Sequence, residues 1–145
     1  MATTQVRTRL RLSPHFIIEE FDSKDGERVP AASVPALKEL CVHLLEPKRT
    51  KYGSCTVNSG HRSVARNANQ GGVVNSRHIY HRHPGSVAAD VRFDTGTVAQ
   101  WDASARWRFS NKPRWTSTNR GGVGDYPTKG FIHVDSGPRR NFDGG

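Results

Sequence analysis

The chain has 145 residues, 34% of them hydrophobic, with 14 Gly and 8 Pro, a composition that suits one domain with much loop and argues against a helical bundle. Lysine and arginine number 22 against 13 acidic residues, a formal net charge of +9, which favours polyanionic partners (nucleic acid, anionic membranes, cell-wall polymers) over a basic substrate. No apolar run reaches the length of a membrane span, and the N-terminus lacks the apolar core of a secretory signal.

In chain order, Arg7, Arg9 and Arg11 alternate with Val6, Leu10 and Leu12 as a short edge strand or arm. Leu12 to Phe21 reads as a short capped helix that leads to a turn at Asp25-Gly26. The clearest helix follows: Ser33 suits an N-cap, Pro35 the first turn, and Leu37, Leu40, Cys41, Leu44 and Leu45 recur at helical spacing until Pro47 stops it. Thr56 to Ser59 is a strand, and Gly60 to Ser86 a polar loop with a turn at Gly71-Gly72. Val87 to Phe93 is a second strand, with Ala88, Asp90 and Arg92 on one face. Thr97 to Trp107 has helical character but poor periodicity. A basic, Gly-rich loop from Arg114 to Gly124 precedes a last strand at Gly130 to Asp135, and residues 137–145, like 1–12, are expected to be loosely held. Cys41 and Cys55 do not form a Cys-x-x-Cys pair and are read as buried free thiols.

The chemistry concentrates on histidine and aspartate. His78, His81 and His83 fall within six residues of a chain holding 7 histidines. Asp90 sits in the apolar strand Val87-Ala88-Ala89-Asp90-Val91, where a carboxylate is costly unless it is paired, hydrogen-bonded or bound to metal. In Phe131-Ile132-His133-Val134-Asp135, alternation puts Phe131, His133 and Asp135 on one face. Two histidines and one aspartate suffice for a catalytic zinc with one open position. Each residue alone also suits a structural role, and the metal reading rests on their joint occurrence.

The order of these motifs resembles the D-Ala-D-Ala carboxypeptidase-like family of zinc peptidoglycan peptidases, which shares a fold with the Hedgehog signalling domain. The resemblance runs through Leu12-Ser13-Pro14-His15-Phe16, Glu20-Phe21 and Lys24-Asp25-Gly26 to Ser59-Gly60-His61-Arg62-Ser63, where the family usually shows Ser-Gly-Tyr-Arg-Ser. It continues through Asn75-Ser76-Arg77-His78 with Ala88-Ala89-Asp90, and ends in Gly122-Val123-Gly124-Asp125-Tyr126-Pro127 with Gly130-Phe131-Ile132-His133-Val134-Asp135. It implies a single α+β domain over residues 1–145, with a small antiparallel sheet, flanking helices and long loops. It also implies Zn2+ held by His78, Asp90 and His133, and Arg62 stabilising the oxyanion while an acidic residue takes the proton from water.

Two departures from the family pattern stand out. Many members place the first histidine seven positions before the aspartate, which here is His83, whereas the Ser-x-His context belongs to His78; the latter requires an insertion within Ile79 to Val87, around Pro84-Gly85. Many members also carry an acid three positions before the last histidine, where this chain has Gly130. Asp135 is then the expected base, with Asp125 as the alternative, though Asp135 could instead orient a ligand histidine.

The substrate implied by the resemblance is a peptidoglycan stem or cross-link peptide containing D-amino acids, with Arg114, Arg120, Arg139 and Arg140 available to its carboxylates. A monomer without membrane attachment, made in the host cytoplasm without a signal and released in phage lysis, fits that expectation. Two rivals stay open. One is a metal-binding wall module without catalysis; the other is a nucleic-acid-binding domain using the positive charge with Trp101, Trp107 and Trp115.

Overall fold

A computed structural model describes residues 10–83, 85–111, 121–138 and 140–144. The arm at Arg7 and Arg9, Pro84, the basic segment holding Arg114, Trp115 and Arg120, and Arg139 lie outside the described residues. The architecture is α+β: a helical layer covers one face of a five-stranded sheet, and the opposite face carries the polar residues.

The N-terminal segment is not the expected helix. Strands β1 (Arg11–Ser13) and β2 (Phe16–Ile17) form a small antiparallel hairpin, followed by a 3-10 turn at Ile18–Phe21. Pro14 explains the difference, because it turns the chain back and disfavours helix in the residue before it. Phe16, Ile18 and Phe21 are buried, and Glu46 anchors the hairpin by accepting from Ser13 Oγ and His15 N, both at 2.7 Å.

Helix α1 (Val34–Leu40) runs through a wide π turn at Cys41–Leu45 into α2 (Glu46–Tyr52). Leu37, Leu40, Cys41, Leu44 and Leu45 are all buried, as the periodicity predicts. Two details differ. Ser33 makes no capping hydrogen bond, because a 3-10 turn at Ala31–Ser33 already leads into the helix. Pro47 does not stop the helix. It cannot donate to the carbonyl four residues back, that of His43, and Arg108 fills the gap by donating from Nε and Nη2 at 3.1 and 2.8 Å. The wide turn gives the ring room.

The remaining strands are β3 (Cys55–Ser59), β4 (Ala88–Phe93), β5 (Gly122–Tyr126), β6 (Phe131–Asp135) and β7 (Arg140–Asp143), in the order β3-β4-β6-β5-β7. All neighbours are antiparallel except β5 and β7, which are parallel, so the sheet is mixed rather than antiparallel throughout. Strands β5 and β7 occupy stretches expected to be loop and loose tail. Helix α3 (Val64–Asn69) lies in the expected loop, capped by Ser63 Oγ, which accepts from Arg66 N at 3.0 Å. Helix α4 (Val98–Asn111) extends beyond the expected Thr97 to Trp107 and buries Trp101, Ala105 and Phe109, a stripe one residue wide at every fourth position. So narrow a stripe explains the poor periodicity.

The core lies between sheet and helices, where Ala89, Val91, Val123, Ile132 and Val134 meet Leu37, Leu40, Leu44, Ala105 and Phe109. Cys41 and Cys55 are free, buried and half-buried respectively, and burial raises both thiol pKa values, which disfavours the nucleophilic thiolate. Among the described residues, no helix is long and apolar enough to cross a membrane.

Candidate metal centre

Sheet register builds the site. Ser59 on β3 pairs with Asp90 on β4, Asp90 with His133 on β6, His133 with Gly124 on β5, and Gly124 with Phe142 on β7. Directly paired residues share a face, so these five form one row across the sheet. The parallel row two residues along holds Ala88, Asp135, Gly122 and Arg140. The glycines on β5 are required there: a Cβ on Gly124 would lie 2.2 Å from the Phe142 ring, and one on Gly122 would lie 2.5 Å from Asp135 Oδ2.

His78 arrives from the 60–86 connection. Its Nε2 lies 3.2 Å from Asp90 Oδ1 and 3.2 Å from His133 Nδ1, and the last two atoms are 3.1 Å apart. The three atoms thus form a nearly equilateral triangle of buried side chains. Four ligands at about 2.0–2.1 Å around tetrahedral zinc are about 3.3 Å from one another. The spacing of the triangle therefore fits a zinc ion, which His78, Asp90 and His133 would hold, and the donor set is of the kind zinc prefers.

The supporting hydrogen bonds fix the ring orientations. His78 Nδ1 donates to the Gly60 carbonyl at 2.7 Å, leaving Nε2 free for the triangle. His133 Nε2 meets Asp135 Oδ2 at 2.7 Å, leaving Nδ1. Burial alone raises the Asp90 pKa, but the two imidazoles beside it outweigh that effect and hold it well below the usual carboxylate range. Asp135 follows the same logic: burial is overcome mainly by its bond to His133, and its pKa falls to about 2.

Asp135 lies behind His133, on the side of the ring away from the triangle, and is fully buried. Its carboxylate also accepts from Gly122 N, Gly137 N and Arg140 Nη2, at 3.2, 2.9 and 3.1 Å. Asp125 alternates with Gly124 and Tyr126, so it faces the helical layer, where its charge helps raise the Asp102 pKa after the larger effect of burial. Gly130 has φ +80° in the turn before β6, and a Cβ there would meet nothing within 4 Å. There is room for a side chain, but the backbone conformation favours glycine.

Arg62 sits beside the triangle, donating from Nη2 to Asp90 Oδ2 at 3.4 Å, from Nε to Ser59 Oγ at 3.1 Å and from Nη1 to Asn67 Oδ1 at 3.3 Å. Burial lowers its pKa, opposed by the charge of Asp90. A cleft of about 490 Å³ opens over His78, Asp90 and His133, and an adjoining one of about 350 Å³ shares Arg62, Asp90 and Tyr126 and continues to Asn58 and Lys129.

The structure brings His78, not His83, to Asp90 and His133. His83 instead donates from Nε2 to the Asn75 carbonyl at 2.9 Å. The excursion after His78 carries buried Ile79 and Tyr80 and a 3-10 turn at Tyr80–Arg82. It is braced by His61, whose Nδ1 accepts from Tyr80 N at 3.2 Å and whose ring lies 5.0 Å from that of Tyr80. Sequence reasoning singled out His61 only as a departure from the motif, without seeing this contact. His61 also belongs to a second cluster with Glu27 and His81. There Nε2 carries the ring hydrogen and donates to Glu27 Oε2 at 2.6 Å, so the cluster is satisfied without metal. Of the tryptophans, Trp101 is buried and donates to the Thr95 carbonyl at 2.9 Å, while Trp107 is exposed. Trp101 is therefore core, not a stacking platform for bases.

The family model described as Peptidase M15 matches residues 14–135. No curated protein and no solved structure matches the chain.

Proposed function

Because the chain belongs to the peptidase M15 family, we propose that it is a zinc-dependent peptidase working at the centre formed by His78, Asp90 and His133. The substrate of this reading is a peptidoglycan stem or cross-link peptide containing D-amino acids, met by a monomer in phage-driven lysis. The observation that carries it is the buried triangle with edges of 3.1–3.2 Å, which matches the ligand spacing of zinc. The net charge of +9 suits an anionic wall.

Zinc bound there would polarise the scissile carbonyl and lower the pKa of a water molecule. Arg62 supplies a fixed cation beside the reacting carbonyl and stabilises negative charge developing on its oxygen. Its bonds to Ser59 and Asn67 hold the guanidinium in place before substrate arrives. Asp135 acts through His133 as a positioning residue, fixing the ring and strengthening its free nitrogen as a donor. Tyr126 lines both parts of the cleft, and burial raises its pKa, so the phenol stays protonated and offers a hydrogen-bond donor to substrate.

One observation favours a second reading. Among the described residues, Asp90 is the sole carboxylate lining either part of the cleft, and neither Asp135 nor Asp125 reaches the reacting atoms to accept a proton. A wall-binding module that holds metal without hydrolysis fits that geometry. Purified cell walls digested with and without chelator, followed by mass spectrometry of released peptides, separate the two. The peptidase reading expects zinc-dependent release that is lost in His133→Ala. Stoichiometric zinc and wall binding without any released peptide would establish the module instead.

A further inference from the structure

The cleft is strongly polarised along its length. Over the triangle and toward β7 its wall carries three arginines, Arg62, Arg77 and Arg140, against the single carboxylate of Asp90. Arg62 is engaged with Asp90 and the floor of the cleft. The other two converge near Gly137, at the end of β6. A Cβ on Gly137 would lie 2.9 Å from Arg77 Cζ and 3.0 Å from Asp135 Oδ1, so the Arg77 guanidinium packs close against that backbone. Arg140 reaches the same carboxylate through Nη2 at 3.1 Å, with its guanidinium 4.7 Å from the centre of the Phe142 ring.

Asp135 cannot neutralise both. Its two oxygens already serve His133, Arg140 and two backbone N–H groups. Arg77 is half-buried, and among the described residues it makes no hydrogen bond or ion pair. A guanidinium that is partly desolvated, laid against backbone and left without an anion is poised for a planar, bidentate acceptor. The side chain of Arg140 is 47% exposed, so it too keeps donors free for the cleft.

Resting on the peptidase reading above, we propose that Arg77 and Arg140 form a specificity pair that binds a free carboxylate of the substrate close to the scissile bond. The pair lies at the β7 end of the cleft, away from Asn58 and Lys129 at the other end. Bound peptide then crosses the triangle with its carboxylate on that side and its scissile carbonyl beside Arg62. The carboxylate belongs either to a chain terminus or to an acidic side chain, and both have the same shape for a guanidinium fork.

Three peptides test this: N-acetyl-Lys-D-Ala-D-Ala, its C-terminal amide, and an amidated analogue with D-Glu in the last position. With zinc-loaded protein, the acid should exceed the plain amide in kcat/KM by on the order of 10- to 100-fold, the range of a charge-assisted hydrogen bond. In Arg77→Gln that ratio should fall toward one, mainly through KM, and Arg77→Lys should recover part of it. Rescue by the D-Glu amide assigns the pair to a side-chain carboxylate, and failure to rescue assigns it to the terminus. Arg140→Gln gives a second measure of the ratio, while Arg77→Gln breaks no bond seen in the structure and keeps the fold. Equal turnover of acid and plain amide by the unaltered protein, with the D-Glu amide no better, overturns the proposal and leaves the peptidase reading standing. If none of the peptides is cut and purified cell walls also release no peptide, the peptidase reading falls; if only the walls are cut, that reading stands. Calorimetric titration with the same three peptides then decides the pair: tighter binding of a carboxylate-bearing peptide, lost in Arg77→Gln, supports it, and equal binding overturns it.

Discussion

Two regions of this protein bury ionisable side chains, and they manage the charge in opposite ways. On the cleft side of the sheet, Asp90, His78, His133 and Asp135 are joined in one hydrogen-bonded chain, with Arg62 at one end and Arg140 at the other. Each carboxylate stays ionised despite burial, because cationic or polar partners outweigh desolvation. On the helical side, Lys48 is 2% exposed and, among the described residues, donates only to the neutral Ser104 Oγ at 3.0 Å. There burial dominates, helped by the nearby positive charge of Arg108 and Lys51, and the ammonium pKa falls to about 7. The lesson is that burial alone does not set protonation state; the partner set does. The candidate metal centre is built from charges that compensate one another.

The comparison can be broken at its strongest point. His133→Ala removes one corner of the triangle, so zinc content measured by mass spectrometry should fall from stoichiometric to background. Peptide hydrolysis should drop on the order of a thousandfold or more, as expected when several kcal/mol of transition-state stabilisation is lost. Asp135→Ala should leave His133 and Arg140 without their buried anion and cost about 3 to 5 kcal/mol in chemical denaturation. Zinc affinity should fall about 10- to 100-fold in the same variant.

Lys48→Met should do the reverse. The folded-state pKa of about 7 lies below the ordinary lysine value of 10.5, so the unfolded chain binds more protons between those limits. Stability should therefore be lowest below pH 7 and rise as pH climbs toward 10. Lys48→Met should flatten that slope and stabilise the protein below pH 7 by roughly 2 to 4 kcal/mol, read from urea melts at several pH values. The smallest effect belongs to His83→Ala, outside the triangle: zinc stoichiometry should be unchanged and stability should shift by less than about 0.5 kcal/mol.

Much of the site was legible before any coordinates. Asp90 and His133 were placed by strand alternation and by the cost of a carboxylate in an apolar run, and they pair directly in the sheet. The buried face of α1 and the following turn was visible in its leucine spacing. Elements whose form depends on distant neighbours were not legible. Strand β5 reads as loop because Gly122 and Gly124 look like turn residues, yet they are bare so that Asp135 and Phe142 can occupy the space. The helix that passes Pro47 needs Arg108, 61 positions later, to satisfy the His43 carbonyl. Nothing near Pro47 announces that partner.

By itself, then, the sequence determined the fold class and pointed to Asp90 and His133 as two corners of a candidate metal centre, because periodicity and burial cost are local properties. Only the tertiary structure brought His78 rather than His83 to Asp90 and His133, set Asp135 behind the His133 ring, and gathered Arg77 with Arg140 at one end of the cleft. Those outcomes depend on where side chains from separate strands and loops point once the sheet has closed, and linear spacing does not encode direction across such distances.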